Sequence, residues 1–372
     1  MKKLLPVAVT AMACMLTFLA AEGAYSLIRW KKPSWSIAYQ TYKLLGRAAP
    51  DDPQPELNLA SRDQFEALIP DMVEAGVGLG NVPYKKVKKV KAAITARTAD
   101  GCVFSKPGLK KEMTQLRSVD FELYDPPVIF YDKEAKLSEG LQRFVKKYGI
   151  RLVSFSTNSQ GERLTFPSID AKDVVLVAGD SVAAGIAVSD EETLSSRLQQ
   201  RESTRRYINL GVGGIPADDI LCNLTAAAKR YAGLIKELIY VYCENDFSPV
   251  DPFGRPEDVV SWLADYAKRE GIAKVTIVRA PYIFTVLPHL TRFKGYRGEG
   301  RPTRYAETER LRISSSKAGF RYIDVEELVR REIQNRGSDF AAFSLFVDVV
   351  HLSPYGTEKL ADELLGLKLS GS

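Results

Sequence analysis

Four short stretches carry side chains that can do acyl-transfer chemistry. Gly179-Asp180-Ser181 ends an apolar run and presents a serine hydroxyl. Asn209-Leu-Gly-Val-Gly-Gly214 sets glycines behind an asparagine. Asn245-Asp246 follows a third apolar run, and Asp348-Val-Val-His351 lies near the C-terminus. A serine is a poor nucleophile until a base takes its proton. Of the two histidines, His289 has no acidic neighbour in sequence, whereas His351 follows Asp348 by three residues. That carboxylate can hold the imidazole in one tautomer and stabilise its charged form. The attacked carbonyl becomes an oxyanion, which needs preorganised donors. The N–H of Ser181, the N–H of Gly214 and the side-chain amide of Asn245 are the candidates; Gly214 has no side chain to block close approach. Each stretch also has a plainer reading. Ser181 can cap a helix, Asn245-Asp246 can be a turn, the glycines can serve tight turns, and His351 can sit at a helix end on the surface. Their joint occurrence in this order favours a site.

These residues need elements that bring them together. Val174 to Ala178 is a short apolar, β-branched run closed by a glycine, the pattern of a strand buried on both faces. From Lys172 onward, strands and helices alternate. Strands are expected at Tyr207–Gly211, Leu238–Tyr242, Lys274–Arg279 and Arg321–Val325. Helices are expected after the capping box Ser189-Asp-Glu-Glu192, from Pro216 to Tyr231, from Pro256 to Gly271, over 303–318, and from Pro354 behind Ser353. Such βα alternation predicts a parallel sheet covered on both faces, with ligands bound beyond the carboxyl ends of its strands. The first three polar stretches would then share one sheet edge.

In order and spacing these blocks resemble the SGNH (GDSL) hydrolase superfamily. The resemblance covers 172–372, about half of the chain. It rests on Gly179-Asp180-Ser181, Asn209-x-Gly211-x-x-Gly214, Asn245-Asp246, and Asp348-x-x-His351 followed by Leu-Ser-Pro-Tyr-Gly. It implies a three-layer α/β/α, flavodoxin-like parallel sheet. It also implies Ser181 as nucleophile, His351 and Asp348 as its partners, an oxyanion hole of Ser181, Gly214 and Asn245, and no metal or organic cofactor. The third block departs from the family pattern, with Cys243 where a glycine is usual. A side chain there would narrow the pocket.

Met1-Lys2-Lys3 and the apolar run from Leu4 to Ile28 read as an uncleaved signal anchor, a transmembrane helix through residues 4–28 within 1–32. A cleaved signal ending near Ala21 or Gly23 ranks second, and a lipid attached at Cys14 third. Residues 33–58 form a proline-rich stalk. Residues 59–170 read as a small mixed α+β accessory domain, with helices over 61–73 and 137–145, strand-like pieces in 119–133 and 150–155, and no chemistry of its own. Residues 171–372 are the catalytic domain. Net charge is +6. The densest basic patch, Lys85–Lys91, lacks interleaved aromatics and reads as a solvated face, so nucleic acid is not expected. Of the four cysteines none form a C-x-x-C motif, and a Cys222–Cys243 bond is left open. The expectation is a membrane-anchored serine esterase on the extracytoplasmic side, cleaving a small acyl, favoured acetyl, ester of an envelope carbohydrate. An O-acyltransferase using the same site and a non-catalytic glycan-binding module are the alternatives.

Overall fold

The computed structural model describes residues 64, 66–80, 94–98, 101–116, 128–243, 255–286, 301–337, 339–348 and 350–367. All belong to one compact unit, 57–286 together with 300–372. The expected anchor, the stalk, Lys85–Lys91, Asn245-Asp246 and His289 lie outside the described residues. Among the described residues, no helix is long and apolar enough to cross a membrane.

The first part opens with α1 (Ile69–Glu74) and β1 (Gly78–Gly80). A two-stranded hairpin follows, β2 (Thr95–Arg97) and β3 (Val103–Ser105). Then come β4 (Lys110–Gln115), β5 (Val128–Asp132), α2 (Glu139–Tyr148) and β6 (Val153–Ser156). Strands β1, β5, β4 and β6 form an antiparallel sheet in that order. Helix α2 is capped by Ser138, whose hydroxyl accepts the Leu141 N–H. Its apolar residues Leu141, Phe144, Val145 and Tyr148 fall on one face and pack with Met72, Leu116, Ile129 and Tyr131. The opposite sheet face carries Met113, Val128, Phe130, Val153 and Phe155, and Ile186 from the second part packs against it.

The second part is the expected parallel sheet. In chain order it comprises β7 (Val174–Gly179), α3 (Ser181–Ala184), α4 (Leu194–Arg201), β8 (Arg206–Asn209), α5 (Ala217–Arg230) and β9 (Ile235–Cys243). It continues with α6 (Pro256–Glu270), β10 (Lys274–Ala280), α7 (Ile283–Val286), α8 (Arg301–Lys317), β11 (Arg321–Asp324), α9 (Val325–Arg336) and α10 (Pro354–Leu365). All five strands run parallel, in the order β11-β10-β9-β7-β8. The order reverses beside β7, the position where open α/β sheets bind ligands. Every residue of β7 is buried, as its continuous apolar pattern predicts.

Two local features differ from expectation, and the open cysteine pairing takes a third form. The capping box at Ser189 is present, but it closes a single 3-10 turn, Asp190–Glu192, and Thr193 then caps α4 separately. The buried Asp190 carboxylate accepts from Arg163 and from the Ser156 N–H, and Thr193 is extended between the two helical segments. Helix α9 was not anticipated, although Asp324 caps it through the Glu326 N–H and Gly337 ends it. The disulfide joins Cys102 to Cys222, with Cα atoms 5.5 Å apart, instead of pairing Cys222 with Cys243. Cys222 points to the β2–β3 hairpin, while Cys243 is buried at the end of β9.

Candidate active site

Ser181 stands where β7 gives way to α3. The chain can turn there because of Gly179, whose φ is +153°; a Cβ at that position would lie 2.4 Å from the Val241 carbonyl oxygen. Asp180 caps α3 by accepting the Val182 N–H at 2.9 Å, which sets Ser181 at the first position of the helix. Asn209, at the end of β8, holds the same turn from the side. Its amide donates to the Ala183 carbonyl at 3.0 Å and to the Ser195 hydroxyl at 3.1 Å, and its oxygen accepts the Gly211 N–H. Gly211 packs so closely on α3 that a Cβ would come within 2.1 Å of the Ala184 nitrogen. The asparagine and glycine of this block therefore build the support for the nucleophile turn.

His351 arrives from the far end of the chain, just before α10. A bridge between Phe346 and Leu352 closes the loop that carries it. Within that loop Asp348 Oδ1 accepts the N–H groups of Val350 and His351, each at 2.8 Å. Asp348 Oδ2 lies 2.6 Å from His351 Nδ1, and His351 Nε2 lies 2.8 Å from Ser181 Oγ. A carboxylate only accepts, so Nδ1 carries the proton and Nε2 is left as the acceptor that faces the serine. Ser181 Oγ also lies 3.2 Å from Asp180 Oδ2, a longer and competing contact for its single proton.

Burial pushes the Asp348 carboxyl up. The charge and ring N–H of His351, with the two loop amides, outweigh that effect and hold it below the usual carboxylate range. Its side chain is 3% exposed and that of His351 is 12% exposed. The structure thus brings Ser181, His351 and Asp348 into one hydrogen-bonded line. Of the expected oxyanion donors, Gly214 is an exposed glycine at φ +72°. Its neighbour Gly213 runs beside the nucleophile, where an added Cβ would be 3.8 Å from Ser181 Cβ. Asn245 lies outside the described residues.

Two residues of the first part reach this site, although the sequence showed no chemistry there. Gln115, the last residue of β4, donates from Nε2 to Asp348 Oδ2 at 2.5 Å. Arg163 is fully buried and paired with Asp190 at 2.7 Å. It donates to the carbonyls of Ala184, Gly185, Val188 and Ser154, and so grips the loop behind α3. A lone glutamine at a strand end and a lone arginine in a loop carry no motif. The only available signal was a charged residue between segments that had to pack.

No protein-family model matches the chain, and no curated protein matches it. Solved structures similar to it include a member of the lipolytic G-D-S-L family from Veillonella parvula. That structure is 15% identical with a TM-score of 0.39, covering 53% of this chain and 98% of that one. An acetyl xylan esterase is 16% identical with a TM-score of 0.41, covering 53% and 100%. An acetylxylan esterase from Geobacillus stearothermophilus is 15% identical with a TM-score of 0.39, covering 54% and 95%. Likeness of this degree carries neither activity nor substrate across. The chemistry rests on this chain's own atoms.

Proposed function

We propose that this protein is a serine esterase of SGNH type. The observation that carries the reading is the line Ser181 Oγ, His351 Nε2, His351 Nδ1, Asp348 Oδ2, with gaps of 2.8 and 2.6 Å. Ser181 Oγ attacks the ester carbonyl while its proton passes to His351 Nε2. The negative charge that forms on the carbonyl oxygen is met by the N–H groups of Ser181 and Gly214 and by the Asn245 amide. Collapse breaks the ester C–O bond, and His351 returns the proton to the departing alkoxide. Water then attacks the acyl-serine with His351 again as base, which releases the acid and restores Ser181.

The favoured substrate is an acetyl or other small acyl ester of an envelope carbohydrate. Cys243, buried at the end of β9 next to the third block, supports a narrow acyl site. The Cys102–Cys222 disulfide supports an oxidising, extracytoplasmic setting, and the apolar run at 4–28 supports a membrane anchor.

The test is intact mass after fluorophosphonate treatment, with the Ser181→Ala and His351→Ala variants run beside wild type. One adduct on wild type and none on Ser181→Ala is expected, with labelling strongly slowed in His351→Ala. A folded wild type that takes no adduct rules the reading out. Acetate release from acetylated polysaccharide, with and without a sugar acceptor, then separates hydrolysis from transfer.

A further inference from the structure

We infer that Gln115, carried by the small antiparallel sheet, is a positioning residue for the triad: its side-chain amide holds Asp348 toward His351. The inference rests on the esterase reading above. It does not follow from the blocks that motivated that reading, because Gln115 lies outside all of them.

The direction of the contact is determined by chemistry. Asp348 Oδ2 is a carboxylate oxygen, so the Gln115 group 2.5 Å from it must be the NH2 end of the amide. The opposite orientation would press two acceptors together. Gln115 is itself held firmly. It pairs with Val128 in the sheet, its carbonyl accepts the Ile150 N–H at 2.8 Å, and it is 7% exposed.

Asp348, by contrast, sits in an irregular loop. The two amides on its Oδ1 come from Val350 and His351, so they orient the carboxylate only within that loop. The Gln115 bond spans 233 residues and ties the carboxylate to a different sheet. A cavity of about 10 Å³ lies here, lined by Gln115, Ile186, Ala187 and Val347 among others. It has room for about one water. Gln115 Oε1 is buried with no hydrogen-bond partner among the described residues.

The test compares Gln115→Met and Gln115→Glu with wild type in the full chain. Hydrolysis of p-nitrophenyl acetate is followed from mildly acidic to mildly alkaline pH, beside thermal unfolding. Loss of a hydrogen bond to a charged group is expected to lower kcat of Gln115→Met by about tenfold to a hundredfold. KM should stay within about twofold, because the bond acts through His351 and does not touch substrate. In Gln115→Glu a charged carboxylate faces Asp348 at neutral pH, and the loss should be at least as large. As pH falls, the new carboxyl regains its proton and can donate to Asp348. The ratio of Gln115→Glu to wild type should therefore rise toward acid pH, a signature that a packing role does not produce.

Folded variants within about twofold of wild type at every pH overturn the positioning role alone, as does a pH-independent ratio. A variant without a cooperative unfolding transition also counts against it, since the loss then belongs to the fold. A wild type no more active than Ser181→Ala overturns the esterase reading, and this inference with it.

Discussion

At Asp348, burial and hydrogen bonding pull in opposite directions, and hydrogen bonding wins. The carboxyl is held below its ordinary range by His351 and by two backbone amides, despite near-complete burial. It therefore stays charged while the imidazole gains or loses its proton. The acid limb of log kcat/KM should accordingly rise with pH at a slope of about one, reporting His351 alone. A slope near two would mean that a second group titrates with it. Asp348→Asn keeps the shape but offers an amide that can turn its NH2 toward His351 Nδ1. That would leave Nε2 protonated and unable to accept from Ser181. A drop in kcat on the order of 10⁴ is expected, with the fold retained, as measured on p-nitrophenyl acetate.

Among the elements, the nucleophile turn depends most on support from outside. Helix α3 is four residues long and cannot hold itself. Asn209 and Gly211 brace it from β8, and Arg163 grips the carbonyls behind it. Burial lowers the Arg163 pKa, and the charge of Asp190 opposes that shift. Removing the guanidinium leaves Asp190 buried and uncompensated. Arg163→Met is thus expected to destabilise by about 3–5 kcal/mol. The check is urea unfolding, read beside the double variant Arg163→Met, Asp190→Leu, which should recover part of the loss. If the single variant unfolds at the same urea concentration as wild type, Arg163 is not the brace described here.

For the molecule as a whole, the small antiparallel sheet contributes contacts to the candidate site. Gln115 and Arg163 come from it or its flanking loop, and the partly buried Ile186 behind the nucleophile packs against its face. A fragment beginning at residue 171 would expose that contact and leave Asp190 without its arginine. It is expected to lack both a cooperative thermal transition and esterase activity; a stable, active fragment would show that the parallel sheet suffices. The β2–β3 hairpin has only three residues per strand, too few for independent stability. The Cys102–Cys222 bond and the Asn223 bond to the Val103 carbonyl fasten it to α5. Reduction should cost about 2–5 kcal/mol, seen as a lower melting temperature in reductant.

The parallel sheet and the triad were legible in the sequence because both are written locally. A strand buried on both faces needs an unbroken apolar run, as in Val174–Gly179. A nucleophile turn needs Gly179 before Ser181, and a histidine held by its own loop keeps Asp348 three residues away. The five strands followed from those patterns and from βα alternation, whereas the pairing of Ser181 with His351 rested on their chemistry and on the resemblance. Of the small sheet, β5 and β6 fall in the stretches read as strand-like, whereas β1 at 78–80 is too short for any period to show, as are the separate hairpin strands at 95–97 and 103–105, and the charged, polar β4 was missed. The disulfide partner was missed as well, since spacing does not say which face of α5 the hairpin covers. Gln115 and Arg163 were invisible for the same reason. Each acts across a separation that no window spans, and only tertiary packing decides that an amide at the end of one sheet meets a carboxylate 233 residues away.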